Sequence, residues 1–164
     1  MNSGKIYILT GEVNSGKTTA LRKWCNNIKR CGGILQPKIN GERYITNIRT
    51  GEKKLLSVSK KTTNQNVISV GNYTFSNLTF TWARNVLLNE VKKNPPWFIV
   101  DEFGKLELKG LGLEPAVGTL INSVSADTKT NMIIVIRDYL VGEFQKKYRL
   151  PVEIIDKDNL SKLF

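Results

Sequence analysis

Short apolar runs alternate along the chain with segments whose apolar residues recur at helical spacing. The alternation predicts buried strands at 5–9, 97–100, 132–136 and 152–155, and helices at 17–30, 76–93, 113–125, 138–148 and 159–164. Ser76 or Asn77 supplies a cap for the second of these helices, and Pro95-Pro96 blocks its continuation. Strands without a polar face, alternating with helices, predict an α/β fold with a mainly parallel sheet in three layers.

The segment 34–58 departs from this alternation. Its strand-like pieces are separated by turn signals, which predicts a small β-meander inserted into a single domain that spans residues 1–164. The predicted strands of the insert are 34–39, 43–48 and 55–58, and the turns are Asn40-Gly41-Glu42 and Thr50-Gly51-Glu52. Beyond the insert we expect a polar loop at 60–66 and two short strands at 67–70 and 73–75. Cys31-Gly32-Gly33 is expected to stop the first helix.

The turn between the first strand and the first helix matches a phosphate-binding loop. Gly11 to Thr18 reads Gly-Glu-Val-Asn-Ser-Gly-Lys-Thr, the pattern G-x-x-x-x-G-K-[S/T]. Glycines allow backbone N–H groups to converge on a phosphate, and the helix amino terminus adds its dipole. Lys17 is predicted to reach the terminal phosphates and Thr18 to bind Mg²⁺. The predicted nucleotide-binding residues are Gly11, Glu12, Val13, Asn14, Ser15, Gly16, Lys17, Thr18 and Thr19.

Two carboxylates follow the apolar run at 97–100, where a second metal-site motif is expected on a neighbouring strand. Asp101 is predicted to hold Mg²⁺, and Glu102 to orient or deprotonate the attacking water. Taken without the loop, the two residues would simply be hydrophilic residues that end a strand. The chain contains no histidine, so a general base must be a carboxylate, a Lys, a Tyr or a Cys.

Arg137 ends another buried strand, at the carboxyl edge where open α/β sheets bind ligands. A cation there is predicted to stabilise the γ-phosphate during catalysis; pairing with Asp138 or another surface carboxylate is an equal alternative. Lys105 and Glu107 are expected to pair with each other or to approach the site.

The net charge is +11, and residues 22–61 carry most of it. This stretch contains eleven basic and two acidic residues, a net charge of +9. Such a surface could steer RNA or another polyanion as a partner, but a solvated face that also attracts a polyphosphate substrate is the preferred explanation.

Cys25 and Cys31 are the only cysteines, which excludes a zinc site and favours free thiols over a disulfide. No apolar run is long enough to span a membrane or to form the core of a signal peptide, so we expect a soluble, cytoplasmic protein.

One longer motif points to a known family. Residues 101–108, Asp-Glu-Phe-Gly-Lys-Leu-Glu-Leu, resemble the Asp-Glu-Ile-Gly-Lys-Met-Glu-Leu signature of the small thermophile-type nucleoside-triphosphatase family, which includes the cancer-related nucleoside triphosphatase. The resemblance extends to Gly-Lys-Thr-Thr at 16–19, Gly32-Gly33, the β-rich insert, and Gly-Asn-Tyr at 71–73.

The resemblance implies a RecA-like P-loop fold and slow, Mg²⁺-dependent hydrolysis of several nucleoside triphosphates. It assigns the phosphate, metal and water-activating roles to Lys17, Thr18, Asp101 and Glu102. Two departures bear on the rate of hydrolysis. Residues 12–14 replace the Pro and Gly residues usual in the family, and Arg137 stands where the family often has an Arg pair.

Three other functions fit parts of the sequence. A GTPase switch matches Asp101 to Gly104 as Asp-x-x-Gly, but no guanine-reading Asn-Lys-x-Asp motif occurs. A small-molecule kinase matches if residues 137–149 form a cationic lid. A nucleotide- or RNA-binding module with little turnover matches the basic stretch 22–61. The carboxylate pair favours hydrolysis of triphosphate to diphosphate and phosphate, with slow turnover and broad base specificity; the preferred base and the oligomeric state stay open.

Overall fold

The structure, a computed structural model, describes residues 3–59, 66–126 and 128–163. Two 3-10 helices, Asp138–Leu140 and Lys157–Leu163, accompany the α-helices and strands. The strands are β1 (Ile6–Leu9), β2 (Cys31–Leu35), β3 (Lys38–Ile39), β4 (Glu42–Asn47), β5 (Lys53–Leu55), β6 (Val67–Val70), β7 (Tyr73–Ser76), β8 (Trp97–Phe103), β9 (Asn131–Ile136) and β10 (Glu153–Ile155). The helices are α1 (Lys17–Asn27), α2 (Asn77–Val91), α3 (Lys105–Leu108), α4 (Ala116–Ser125) and α5 (Val141–Tyr148).

The main sheet is parallel over five strands. Its order is β10-β1-β9-β8-β2-β4-β3, and every pair from β10 to β2 is parallel. The strands β3, β4 and β5 add an antiparallel edge, since β4 pairs with β2, β3 and β5. A separate hairpin joins β6 to β7. The prediction of a mainly parallel α/β fold is therefore confirmed.

Helices cover both faces of the sheet because the central strands are apolar on both faces. Along β8, Trp97 and Ile99 belong to the apolar cluster that includes α1, whereas Phe98 and Val100 belong to the cluster that includes α2, α4 and α5. The strands β1 and β9 divide their side chains between the same two clusters. This burial produces the three layers that the sequence pattern predicts.

The antiparallel strands predicted within 34–58 are present, but their first member is wrong. The predicted strand 34–39 divides into the end of β2, which runs parallel to β8, and the two-residue β3. The remaining strands extend the main sheet rather than forming a separate meander, because β4 pairs directly with β2. The predicted strand at 55–58 lies earlier, at β5, and the predicted loop at 60–66 lies outside the described residues except for residue 66.

The prediction that Cys31-Gly32-Gly33 stops the first helix is wrong. The helix α1 ends at Asn27, because Ile28 has extended backbone angles, and Cys31 already begins β2. Gly33 has a φ of 106°, and a Cβ there would collide with the carbonyl group of Ile99 on β8. The glycine therefore allows β2 and β8 to approach each other closely. Glycine is also typical of the residue that follows a helix, so the sequence alone did not distinguish the two roles.

The remaining helix predictions differ from the structure mainly at their ends. Ser76 caps α2 as predicted, and its hydroxyl accepts a hydrogen bond from the Thr79 N–H. The helix predicted from residue 113 begins at Ala116, after Pro115. The predicted helix 138–148 is a 3-10 turn followed by α5, and the predicted terminal helix is 3-10 rather than α over its described residues. Cys25 and Cys31 are free and buried, with their sulfur atoms 3.1 Å apart.

Candidate nucleotide-binding and catalytic site

The predicted phosphate-binding loop lies between β1 and α1, at the carboxyl edge of the parallel strands. Positive φ angles at Gly11 (147°), Asn14 (57°) and Gly16 (84°) turn the chain tightly before the helix begins at Lys17. The Lys17 ammonium donates to the Gly11 carbonyl oxygen (3.2 Å), the Glu12 carbonyl oxygen (2.6 Å) and Ser15 Oγ (3.2 Å). The loop thus holds one positive charge at its centre, beside a helix amino terminus.

Thr18 and Asp101 meet although they are far apart in sequence. The Thr18 hydroxyl donates to Asp101 Oδ2 at 2.8 Å, and the Gln36 N–H donates to the same oxygen at 2.9 Å. Asp101 is fully buried, and this burial, assisted by the charge of Glu102, raises the pKa of its carboxyl group to about 6. Its second oxygen, Oδ1, has no hydrogen-bond partner among the described residues. A buried carboxylate oxygen without a donor costs free energy, which a cation would recover.

The strand that carries Asp101 is not a neighbour of the strand before the loop, so that prediction is wrong. The strand β9 lies between β1 and β8. Asp101 nevertheless reaches Thr18, because both lie at the carboxyl edge of the sheet and on the face covered by α1. The same order places Arg137, which directly follows β9, between the loop and the end of β8.

A β-bulge sets the direction of Glu102. Val100 pairs with Ile134 and Phe103 with Ile136, so Asp101 and Glu102 together stand opposite one residue of β9. Glu102 is the bulged residue, with a φ of 61°, a conformation that side-chain-bearing residues seldom adopt. The extra residue shifts the alternation, so that Phe103 joins Val100 in the same apolar cluster. Strained backbone of this kind is concentrated at functional sites.

The Glu102 carboxylate lies between two guanidinium groups. Arg43 from β4 approaches one oxygen at 3.6 Å, and Arg137 approaches the other at 3.9 Å. All three side chains are between 21% and 30% exposed, so the group is partly open to solvent. Arg137 also donates to the Tyr139 hydroxyl at 3.4 Å. The structure brings Glu102 and Arg137 together, as a shared site requires, and pairs Arg137 with a carboxylate other than Asp138.

Within the described part of the chain, several residues that sequence reasoning missed contact this site. The backbone N–H of Gln36 donates to the Asp101 carboxylate, and its side-chain amide donates to the Asp101 carbonyl oxygen at 3.1 Å. Arg43 pairs with Glu102 from the antiparallel edge of the sheet. Lys157, from the last 3-10 helix, donates to the Ser15 carbonyl oxygen at 2.7 Å. Only Lys157 had a usable signal, since it follows a strand predicted to end at the same edge.

Lys105 and Glu107 do not pair with each other. The buried Glu107 carboxylate accepts hydrogen bonds from the N–H groups of Gly104 (2.9 Å) and Leu113 (3.0 Å), and thereby fixes the turn around α3. Lys105 is exposed, with its ammonium 5.9 Å from the centre of the Tyr139 ring. Glu107 is therefore a structural carboxylate, and Lys105 faces the rim of the site.

A cavity of about 340 Å³ opens beside Glu102. Its lining comes from β4, the β6–β7 hairpin, α2, the end of β8, α3, the turn after β9 and the residues that directly follow β2 and β5, and it includes Glu102, Arg43 and Arg137. None of the residues of the phosphate-binding loop line it. The cavity and the loop therefore flank the end of β8 as two separate compartments.

The basic stretch 22–61 does not form one free cationic surface in the described part of the chain. Arg49 forms a two-point ion pair with the buried Glu90, and Arg43 pairs with Glu102. Lys53 and Lys54 lie over the rings of Tyr44 and Trp82, respectively. Residues 60 and 61 lie outside the described residues. The structure thus adds no support for an RNA partner.

The arrangement described above defines a P-loop nucleotide-binding fold. The chain matches a protein family described as NTPase over residues 6–163, and it belongs to that family. Family membership supports hydrolysis of nucleoside triphosphates as its general chemistry. A comparison with the curated proteins found no match. No helix among the described residues has the length and apolar character needed to cross a membrane.

Two solved structures resemble this chain over nearly its whole length. The crystal structure of THEP1 from the hyperthermophile Aquifex aeolicus is 26% identical, with a TM-score of 0.73, and the match covers 97% of this chain and 96% of that one. The solution structure of a human cancer-related nucleoside triphosphatase is 20% identical, with a TM-score of 0.68, and the match covers 98% and 95%. The second likeness is one of fold alone. Together they confirm the predicted P-loop NTPase fold and the family resemblance.

Proposed function

We propose that this protein hydrolyses nucleoside 5′-triphosphates to diphosphate and phosphate, with Mg²⁺ as cofactor. The observation that carries the proposal is the meeting of Thr18 with the buried Asp101, at the end of a loop with phosphate-binding geometry. A hydroxyl and a carboxylate are the oxygen ligands that Mg²⁺ prefers, and the unpartnered Asp101 Oδ1 suits a cation. Bound Mg²⁺ would neutralise charge on the β- and γ-phosphates.

The chain's own residues would then divide the work. The loop N–H groups of residues 11–19 and the Lys17 ammonium bind the phosphates. Glu102 accepts a proton from the attacking water, and Arg137 stabilises the negative charge that develops on the transferred phosphoryl group. The two guanidinium groups flank the Glu102 carboxylate and thereby orient the proposed base.

Slow turnover and broad base specificity are part of the proposal, because the motifs of the chain supply phosphate-binding and metal-binding groups but no base-reading signature. Phosphate release should be measured with ATP, GTP, CTP and UTP, with Mg²⁺ and with excess EDTA. We expect release from all four that depends on Mg²⁺. A preference of about a hundredfold in kcat/KM for one base would contradict broad specificity.

We also propose that residues 1–164 act as a single domain in the cytoplasm. Two free thiols 3.1 Å apart are expected to stay reduced in that compartment. Resistance of the whole chain to limited proteolysis would support a single domain. Reaction of both thiols with a labelling reagent after unfolding without reductant would support reduced cysteines.

A second candidate is phosphoryl transfer to a small acceptor, favoured by the cavity beside Glu102. An acceptor hydroxyl oxygen would bond to the γ-phosphorus as the bond from that phosphorus to the β-bridging oxygen breaks, and the hydroxyl proton would pass to Glu102. Mass spectrometry of the products distinguishes the two reactions. Hydrolysis yields only the nucleoside diphosphate and inorganic phosphate, whereas transfer also yields a phosphorylated acceptor.

A further inference from the structure

The cavity beside Glu102 has the size and the mixed lining of a small-molecule site. Its volume of about 340 Å³ lies at the lower end of the range for ligand pockets, about 300–1,000 Å³. Its floor is apolar and well packed, with Leu56 1% and Phe80 2% exposed. Because neither the loop nor Asp101 lines it, phosphates held by the loop would leave this volume free.

Aromatic rings line the cavity and two of them are exposed. Tyr73, in the β6–β7 hairpin, is 58% exposed, and Tyr139, in the turn after β9, is 54% exposed. The Tyr73 ring stacks parallel to the Phe75 ring, with the centroids 6.1 Å apart. Exposed rings at the edge of an apolar cavity leave aromatic faces available to a flat ligand.

Cations outnumber available anions around the same cavity. Arg43, Lys105 and Arg137 contribute three positive charges to the lining. Glu102 lies between the two arginines, and the Glu107 carboxylate is already bound by two backbone N–H groups. Among the described residues, no carboxylate lies within 4.0 Å of the Lys105 ammonium, which instead faces the Tyr139 ring. The lining therefore suits a ligand that carries negative charge.

We propose that this cavity binds a second small molecule, a flat aromatic compound that bears a phosphate or carboxylate group. Its ring lies against Tyr73 and Tyr139, and its anionic group is held by Lys105 and the arginines. A role for this molecule as acceptor or regulator of a reaction at Glu102 rests on the proposed function. The binding of the molecule to the cavity does not. A nucleoside monophosphate and a simple aryl phosphate both carry this chemistry.

Binding should be measured by titration calorimetry with four probes. AMP and phenyl phosphate combine a ring with an anion, whereas benzyl alcohol lacks the anion and ribose 5-phosphate lacks the aromatic ring. We expect both aromatic anions to bind at least about fivefold more tightly than either partial probe. If AMP binds and phenyl phosphate does not, the ligand is a nucleoside monophosphate. If both probes bind, the site accepts aryl anions in general. Equal affinity for all four, or no binding, would overturn the proposal.

Matched variants locate the binding in this cavity. Tyr73→Ala removes an exposed lining ring, and Leu78→Ala removes a similarly exposed apolar side chain that does not line the cavity. Lys105→Gln and Lys109→Gln form a second matched pair. We expect phenyl phosphate to bind roughly five- to tenfold more weakly to the two cavity variants and unchanged to the two controls. Equal effects within each pair would contradict the assignment.

Lys17→Ala separates this inference from the proposed function. Because Lys17 does not line the cavity, the variant should lose triphosphate affinity and keep its affinity for phenyl phosphate. Unchanged triphosphate binding would count against the proposed function alone. Loss of phenyl phosphate binding in this variant would show that the aryl anion occupies the loop, and would overturn the second site.

Discussion

The phosphate-binding loop and the surroundings of Glu102 are built in opposite ways. The loop is one continuous segment, and the three acceptors of its Lys17 ammonium lie within six residues of that lysine. The surroundings of Glu102 come from separate parts of the chain, with Arg43 on β4, Glu102 on β8 and Arg137 after β9. A phosphate-binding motif made of one continuous segment keeps its geometry wherever it occurs. A site made of distant segments can differ between relatives.

The two regions also differ in their electrostatics. The loop concentrates one cation among backbone oxygens beside a helix terminus, which favours anion binding. Around Glu102 one carboxylate already pairs with two guanidinium groups, which leaves an excess of one positive charge before any substrate arrives. We therefore expect changes in the loop to act mainly on triphosphate affinity, and changes at Glu102 to act mainly on turnover.

Glu102→Gln is expected to have the largest effect. The amide keeps the size and hydrogen-bonding capacity of the side chain but cannot accept the proton of the attacking water. Turnover should fall by about 10²–10⁴-fold, the usual span for a positioned acid–base group, while triphosphate affinity changes little. Single-turnover phosphate release and equilibrium titration measure the two quantities. Glu143→Gln, on an exposed part of α5, serves as the matched control.

A Glu102→Gln enzyme that hydrolyses triphosphate at the wild-type rate would show that another group activates the water. Glu12, in the loop, would then be the first carboxylate to test. Glu107 would not, because its carboxylate is buried and holds the turn around α3.

Lys17→Ala is expected to act on affinity instead. It removes the charge at the centre of the loop, so the dissociation constant for triphosphate should rise at least about tenfold. Lys23→Ala removes an exposed charge from the same helix and should leave affinity unchanged. If both variants bound triphosphate as tightly as the wild type, the loop would not be the phosphate site, and the contrast between the two regions would fail.

The sequence was sufficient to predict the loop because every signal for it is local. Glycines at 11 and 16, the lysine at 17 and the flanking strand and helix are all readable in one short segment. The class of fold followed from fully apolar strands that alternate with helices. The position of β9 between β1 and β8 was not readable, since strand order depends on how distant segments pair.

The surroundings of Glu102 could be predicted only in part. The carboxylate pair at the end of an apolar run was visible, but the bulge that turns Glu102 toward Arg43 depends on its register with β9. Arg43 itself sits among eleven basic residues of the stretch 22–61, and nothing local distinguishes it from the others. The pairing of Arg43 with Glu102 therefore leaves no mark in a single sequence.

Asp101→Asn tests the link between the two regions. Asp101 lies on the same strand as Glu102 but contacts Thr18 beside the loop. The neutral amide can still accept from the Thr18 hydroxyl, yet it is a poor ligand for Mg²⁺. We expect the enhancement of triphosphate affinity by Mg²⁺ to fall by about tenfold in titrations with and without the metal. Asp138→Asn should preserve the enhancement, and equal enhancement in both variants would remove Asp101 from the metal site.

Glu90→Gln should have the smallest effect on function, because Glu90 lies outside both the loop and the surroundings of Glu102. Glu90 is buried on α2, where Arg49 and Lys93 approach its two carboxylate oxygens at 2.7 Å, and Arg49 in particular lowers its pKa to about 2. Because the ionised form is favoured in the folded state, the pair stabilises the protein above the ordinary carboxyl pKa and ceases to do so as pH falls toward 2.

We expect Glu90→Gln to lower the free energy of unfolding by about 1–2 kcal/mol at pH 7, since two half-exposed cations lose a buried ionic partner. Urea unfolding at several pH values should show this difference as constant above about pH 5 and shrinking toward pH 2, where the wild-type carboxyl also becomes neutral. Affinity and turnover should stay within about twofold of the wild type, because Glu90 contacts neither the loop nor the cavity lining. A large loss of turnover without a loss of stability would mean that the Arg49–Glu90 pair positions β4, and with it Arg43, for catalysis. The assembled region would then extend to α2.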